Sequence, residues 1–312
     1  MQAFACMSSC PTVRGVTHPV PAPVPAGTAL VLAGGGVAGI AWELGVLRGI
    51  ADADPALADR LLAADRVVGT SAGSSVAAQV TSGVGLDALY EAQLRPETAE
   101  IEVDVDLPAL FADMGAVMAG AADAADAGRR MGALALAAPG ADPARRRAAI
   151  AARLPVPDWP DRRVLLPAVD TGSGEVAVFT RESGVALVDA VAASCAVPGV
   201  WPPVAIGGRR YMDGGTRSMT NADLAAGAQR VLVVVPALED APQLWGRSLA
   251  EEIADLAPAA VAVVHADQAS VEAFGSNALS PSTRAAAARA GRVVGAAAAA
   301  RVAAALGWAP HP

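Results

Sequence analysis

The 312-residue sequence contains no lysine; its 23 basic residues are all arginine. We read that as genome composition. With no G-K-[ST] after any glycine run, a P-loop is excluded. Only 4% of the residues are aromatic, three are histidine and three are cysteine. Cys6, Cys10 and Cys195 make neither a disulfide framework nor a metal knuckle, so no metal site is expected. The 31 acidic residues leave a net charge of −8. That balance argues against nucleic acid as the main partner and against a polybasic membrane-surface patch. The opening MQAFACMSSCPTVRG lacks the charged and apolar regions of a secretory signal, and the expected location is cytoplasmic. No long apolar run escapes interruption: Arg289, Arg292 and Arg301 break up Ala285 to Leu306, which reads as a packed helix and not a span.

What is present is small and apolar. Hydrophobic residues make up 54% of the chain, much of it alanine, enough for a sizeable core. Residues 1–27 end in HPVPAPVPAG and read as a disordered, proline-rich lead. From about Thr28 the pattern predicts a strand (Ala29 to Ala33), a glycine loop, a helix to Ile50, a polar turn ADADPALADR, a short strand (Arg66 to Gly69) and a helix (Ala72 to Thr81). That alternation implies a parallel sheet with right-handed crossovers.

Residues 86–155 are alanine-rich, and breaks are expected at Gly120, Gly128 and Pro139-Gly140. They read as a variable helical cap within one domain, residues 28–312. Arg163 to Ala168 and Glu175 to Thr180 read as a hairpin, as do Val204 to Ile206 and Arg210 to Met212. A helix is expected at Leu187 to Ala193, buried strands at Val231 to Val235 and Ala260 to Val264, and a helix from Pro281 to Leu306. The fold class is therefore α/β: a three-layer domain, mainly parallel, with helices on both faces and a helical cap.

Two motifs carry chemistry. Gly34, Gly36 and Gly39 form a G-x-G-x-x-G between strand and helix, as in a dinucleotide site. Such a site needs an acid at the end of the second strand. Asp52 and Asp54 lie at about the right distance, but at a helix end. The second strand closes instead on Gly69-Thr70-Ser71-Ala72-Gly73, a G-x-S-x-G. A serine on a sharp strand-to-helix turn is exposed and strained, and the helix dipole favours its alkoxide. The glycine loop is then suited to an oxyanion, whose charge its bare N–H groups can hold.

Serine needs a base. His18 and His311 lie in the lead and the tail. His265 follows an apolar strand, so Ser71, Asp213 and His265 could form a hydrolase triad; Asp213, where a strand ends in Asp-Gly-Gly, could act alone. Arg209, Arg210 and Arg217 bracket Asp213 and could hold a phosphate, or form a solvated rim. Leu107 to Met118 could wall an acyl chain, although an ordinary core helix is the better reading.

The blocks Gly34 to Gly39, Gly69 to Gly73, Ala193-Ser194-Cys195-Ala196-Val197-Pro198 and Asp213-Gly214-Gly215 together resemble the patatin-like phospholipase family. The resemblance runs from about Ala29 to Pro236, omitting most of Leu86 to Pro155. It implies phospholipase A-type hydrolysis of lipid acyl esters by a Ser71–Asp213 dyad. The glycine loop, Gly34 to Val37, would be the oxyanion hole, its N–H groups coming from Gly35, Gly36 and Val37. It implies no cofactor, a lipid or other acyl-ester partner, and membrane contact only in passing. Ala193 to Pro198 reads as structural packing beside the site. Two positions depart from the family pattern: Ala38, where many members carry a basic residue, and Ala222, where many have proline after the asparagine. Open alternatives are an esterase using His265, a nucleotide-binding module at Gly34 to Gly39, and a lipid-binding non-enzyme.

Overall fold

Residues 27–137, 141–243 and 245–308 are described by a computed structural model. The proline-rich lead, Pro139-Gly140, His18 and His311 lie outside these residues. In chain order the elements begin with β1 (Thr28–Leu32), α1 (Gly36–Ala53), α2 (Pro55–Leu62), β2 (Arg66–Gly69) and α3 (Ala72–Val80). Four helices follow: α4 (Leu86–Leu94), α5 (Leu107–Ala119), α6 (Ala124–Ala137) and α7 (Pro143–Arg153). Next come β3 (Arg163–Asp170), β4 (Val176–Phe179), α8 (Leu187–Ser194), β5 (Val204–Ile206), β6 (Arg209–Asp213) and β7 (Arg230–Val235). The chain closes with α9 (Leu249–Asp255), β8 (Ala260–His265), α10 (Gln268–Phe274) and α11 (Arg284–Ala305).

The strands form one sheet in the order β5-β6-β3-β2-β1-β7-β8, with β4 also paired to β3. From β3 to β8 the pairs are parallel, whereas β4 and β6 pair antiparallel with β3, and β5 pairs antiparallel with β6. Alternate residues of each central strand enter different cores, as expected of a sheet covered on both faces. Leu30, Leu32, Leu232 and Val234 join α1, α3, α8 and α11 on one side. Ala29, Val31, Val231 and Val233 face the 222–225 turn and Leu256 on the other. The result is a three-layer α/β arrangement.

The expected hairpins and buried strands are present. The polar turn is not a turn: Asp54 caps α2 by accepting the N–H of Leu57 at 2.9 Å, and Pro55 occupies the first helical position, where no N–H is needed. α9 and α10 are further helices absent from the sequence reading, each capped by its own Ser248 or Asp267. Gly120 ends α5, but Gly128 lies within α6. A Cβ there would come within 2.5 Å of the Gly174 carbonyl, so this glycine serves close packing, not a break. α4 packs on α1 and α11, α7 on α8 and α3, and α5 with α6 against β3. α5 contributes Met114 to a separate apolar cluster with Met131, Val169 and Met212. Among the described residues no helix is long and apolar enough to cross a membrane.

Candidate active site

Ser71 follows β2, at the centre of the sheet, and precedes α3. Its φ of 51° puts a non-glycine residue in the left-handed region, the strained geometry expected of a nucleophile at a sharp turn. Neighbours hold it there. The Ser71 N–H donates to the Ser194 hydroxyl at 3.0 Å, and its carbonyl accepts the Ser74 hydroxyl at 2.6 Å and the Cys195 thiol at 3.0 Å. The block Ala193 to Pro198 therefore fastens the serine backbone. The flanking glycines permit close approach: a Cβ on Gly73 would lie 2.1 Å from the Leu32 carbonyl, and one on Gly69 would lie 2.4 Å from that of Gly73.

Asp213 ends β6 opposite Ala168 of β3, and only 4% of it is exposed. Burial pushes its carboxyl up to about 7, against the opposing pull of the Ser71 hydroxyl, the Gly215 N–H and Arg146. Oδ1 accepts the Gly215 N–H at 2.7 Å. Oδ2 is buried without a well-aligned hydrogen bond, although the Ser71 side chain lies close enough to favour the charged form.

The following loop binds both halves of the site. Asn221 Nδ2 donates to Thr70 Oγ1 at 3.0 Å, to the Ser218 carbonyl at 2.6 Å and to the Gly214 carbonyl at 3.3 Å. One amide thus joins the neighbour of Ser71 to the neighbour of Asp213. Buried Glu252 Oε2 accepts the Thr220 hydroxyl at 2.5 Å and the Ala222 N–H at 2.8 Å. A proline at 222 would have no N–H to give.

The glycine loop faces this turn. The Gly34 N–H is committed to the Met219 carbonyl at 2.8 Å and that of Ala38 to the Ala278 carbonyl at 2.9 Å. The N–H groups of Gly35, Gly36 and Val37 donate to no described residue, which restricts the free donors to these three. Gly36 and Val37 line a cavity of about 20 Å³ together with Ser71, Arg146, Cys195 and Trp201. That is room for about one water. Pro236 and Ala278 cover the loop closely, since Cβ atoms on Gly35 and Gly36 would meet them at 2.4 and 2.7 Å. A dinucleotide has no space there.

His265 ends β8, separated from β2 by β1 and β7. Three strand spacings amount to about 14 Å, too far for the ring to take a proton from Ser71. The arginines near Asp213 in sequence turn elsewhere. Arg209 pairs with Asp170 at 3.0 Å, Arg217 with Asp223 at 2.5 Å, and Arg210 is exposed on its hairpin. Arg209 and Arg217, with Met118 of α5 and Trp245, line a larger cavity of about 920 Å³ that includes neither Ser71 nor Asp213. The positive charge beside Ser71 comes instead from α7. Arg146 is 7% exposed, and its guanidinium lies 3.8 Å above the Trp201 ring. Sequence offered one signal for it, the run Arg145-Arg146-Arg147 on an otherwise alanine-rich helix, which is indistinguishable from a solvated face. Among the described residues, no group of three or more histidine, cysteine, aspartate or glutamate side chains is placed to hold a metal.

Residues 30–226, more than half of the chain, match the family model described as patatin-like phospholipase. The chain belongs to the patatin-like phospholipase family. Membership places it among lipid acyl hydrolases. Similar solved structures include VipD from Legionella pneumophila (13% identity, TM-score 0.43, covering 89% of this chain and 68% of that one). The type III effector protein ExoU is another (16% identity, TM-score 0.39, covering 90% of this chain). The chain spans only 54% of the ExoU length. Among curated proteins none matches.

Proposed function

We propose that this patatin-family protein cleaves carboxylic esters of lipids through a Ser71–Asp213 dyad. The supporting observation is the meeting of a strained Ser71 with a buried Asp213 whose carboxyl is pushed up to about 7. A base with that affinity for a proton can accept one from serine near neutral pH, whereas an ordinary aspartate is too weak. Ser71 Oγ attacks the ester carbonyl as its proton passes to Asp213. The carbonyl oxygen then gains charge, and the N–H groups of Gly35, Gly36 and Val37 stabilise it, assisted by the N-termini of α1 and α3. Asp213 returns the proton to the leaving alcohol. Water, deprotonated by the same carboxylate, releases the acid and restores the serine. The site is small in this conformation, so an ester enters only when lining side chains such as Ile101 or Leu279 move aside.

Fluorophosphonate labelling with peptide mass spectrometry tests the assignment. Ser71 is expected to carry the label, Asp213→Asn to slow labelling by about 100-fold or more, and His265→Ala to leave it unchanged. Folded protein that is not labelled at Ser71 would overturn the reading.

A further inference from the structure

Resting on the hydrolase reading above, we propose that Arg146 makes the Ser71 cavity an anion subsite, recognising a phosphodiester or carboxylate that the substrate carries near its scissile ester. The cavity brings several positive features together. It is walled by Gly36 and Val37 at the start of α1, by Ser71 and Ala72 at the start of α3, and by two arginines of α7, Arg146 and Arg153. Their situations differ. Arg153 is neutralised by Glu100, which accepts its Nε and Nη2 at 2.7 Å each. Arg146 makes neither an ion pair nor a side-chain hydrogen bond with any described residue; its guanidinium stacks on the Trp201 ring and feels the Glu100 and Asp213 charges without pairing to either. Asp213, the remaining carboxylate nearby, is occupied by Gly215 and faces Ser71.

An arginine left only 7% exposed is costly to leave without an anion. Stacking on tryptophan recovers part of that cost, and it also holds the planar fork in one orientation. Burial and the Arg153 charge lower the Arg146 pKa to about 10, so the group stays charged at neutral pH. An oriented, charged, unpaired fork at the edge of a reaction cavity matches the geometry of a phosphate or carboxylate, which it can bind through two N–H groups. The backbone donors of the glycine loop serve the ester carbonyl. Arg146 arrives on a different element, α7, and so addresses a different part of the same substrate.

The test uses two pairs of short-chain esters, each below its micelle concentration: dihexanoylphosphatidylcholine against dihexanoylglycerol, and the p-nitrophenyl monoester of glutaric acid against p-nitrophenyl butyrate. In Arg146→Met, the ratio of KM for an anion-bearing member to that for its neutral counterpart should rise by about tenfold or more, a ratio in which any shift of the Asp213 titration cancels. Arg146→Lys should lose less. A selective loss in the first pair assigns a phosphodiester and in the second a carboxylate. Equal losses on charged and neutral esters, or no loss, would overturn the subsite. Should neither variant fold, slowing of Ser71 labelling in the wild type by inorganic phosphate or acetate replaces the comparison, and failure of both anions refutes it. A wild type that is neither labelled at Ser71 nor active on any of the four esters refutes the hydrolase reading itself.

Discussion

Asp213 shows how burial sets chemistry at a single residue. An aspartate ordinarily loses its proton near pH 3.8; here the folded protein keeps it until about 7. Two consequences follow. Activity depends on the charged form, so kcat/KM should climb with pH and reach half its plateau near 7 in a pH–rate profile. Stability should run the other way. Between about pH 4 and pH 7 the folded state binds more protons than the unfolded state, so raising the pH removes stability. Asp213→Asn abolishes that loss, and its melting temperature should exceed wild type by roughly 5 °C at pH 8, with a smaller difference or none at pH 4. Equal differences at the two pH values would show that Asp213 does not titrate as described. At the same scale, Cys195 supplies a hydrogen bond to the Ser71 carbonyl, and burial favours its neutral thiol.

Among the elements, α1 and α11 make the tightest contact. Gly45 and Gly49 on α1 face the backbone of Ala288 and Arg292, while Gly291 and Gly295 on α11 face Trp42 and Val46. Each helix turns small residues toward the other, so their backbones approach too closely for a Cβ. On Gly295 a methyl group would lie 2.0 Å from the Val46 carbonyl. Backbone cannot step aside without moving the N-terminus of α1, which carries the glycine loop. Gly295→Ala should therefore cost about 3 kcal/mol in chemical denaturation. Val293→Ala, on the exposed face of the same helix, should cost under about 0.5 kcal/mol. The α11 sequence reads as a plain alanine-rich helix, and this contact explains why two of its positions are glycine.

Over the whole molecule, a buried ion pair joins the segment between α4 and α5 to α7. Side chains of Arg153 and Glu100 are only 8% and 9% exposed. Burial raises the Glu100 pKa, but the Arg153 charge and hydrogen bonds outweigh it and hold the carboxyl below its ordinary value. Arg153 also reaches Ser75 Oγ at 3.3 Å on α3, behind the nucleophile. Removing one partner leaves a buried charge uncompensated. Glu100→Gln should cost about 3–5 kcal/mol in denaturation. A cost under about 1 kcal/mol would show that the pair does not hold these parts together.

The sequence by itself determined the α/β class, the strand–loop–helix and strand–serine–helix units, and the candidacy of Ser71 and Asp213. These are local: alternation, glycine spacing and turn chemistry act within a few residues, and Gly69, Gly73 and the left-handed Ser71 obey them. Other features depended on which distant groups meet. His265 and Asp213 both end strands, but the fold brings Asp213, from β6 two strands away, against Ser71 and leaves His265 three strands away on the other side. The sequence singled out Arg209, beside Asp213 in the chain, and not Arg146, yet packing gave Arg209 the Asp170 carboxylate and left Arg146 on Trp201. Gly34 belongs to the glycine loop in sequence, but its N–H is taken by Met219, 185 positions later in the chain. Charge pairing and hydrogen-bond commitment are properties of neighbours in space, and tertiary structure alone supplies those neighbours.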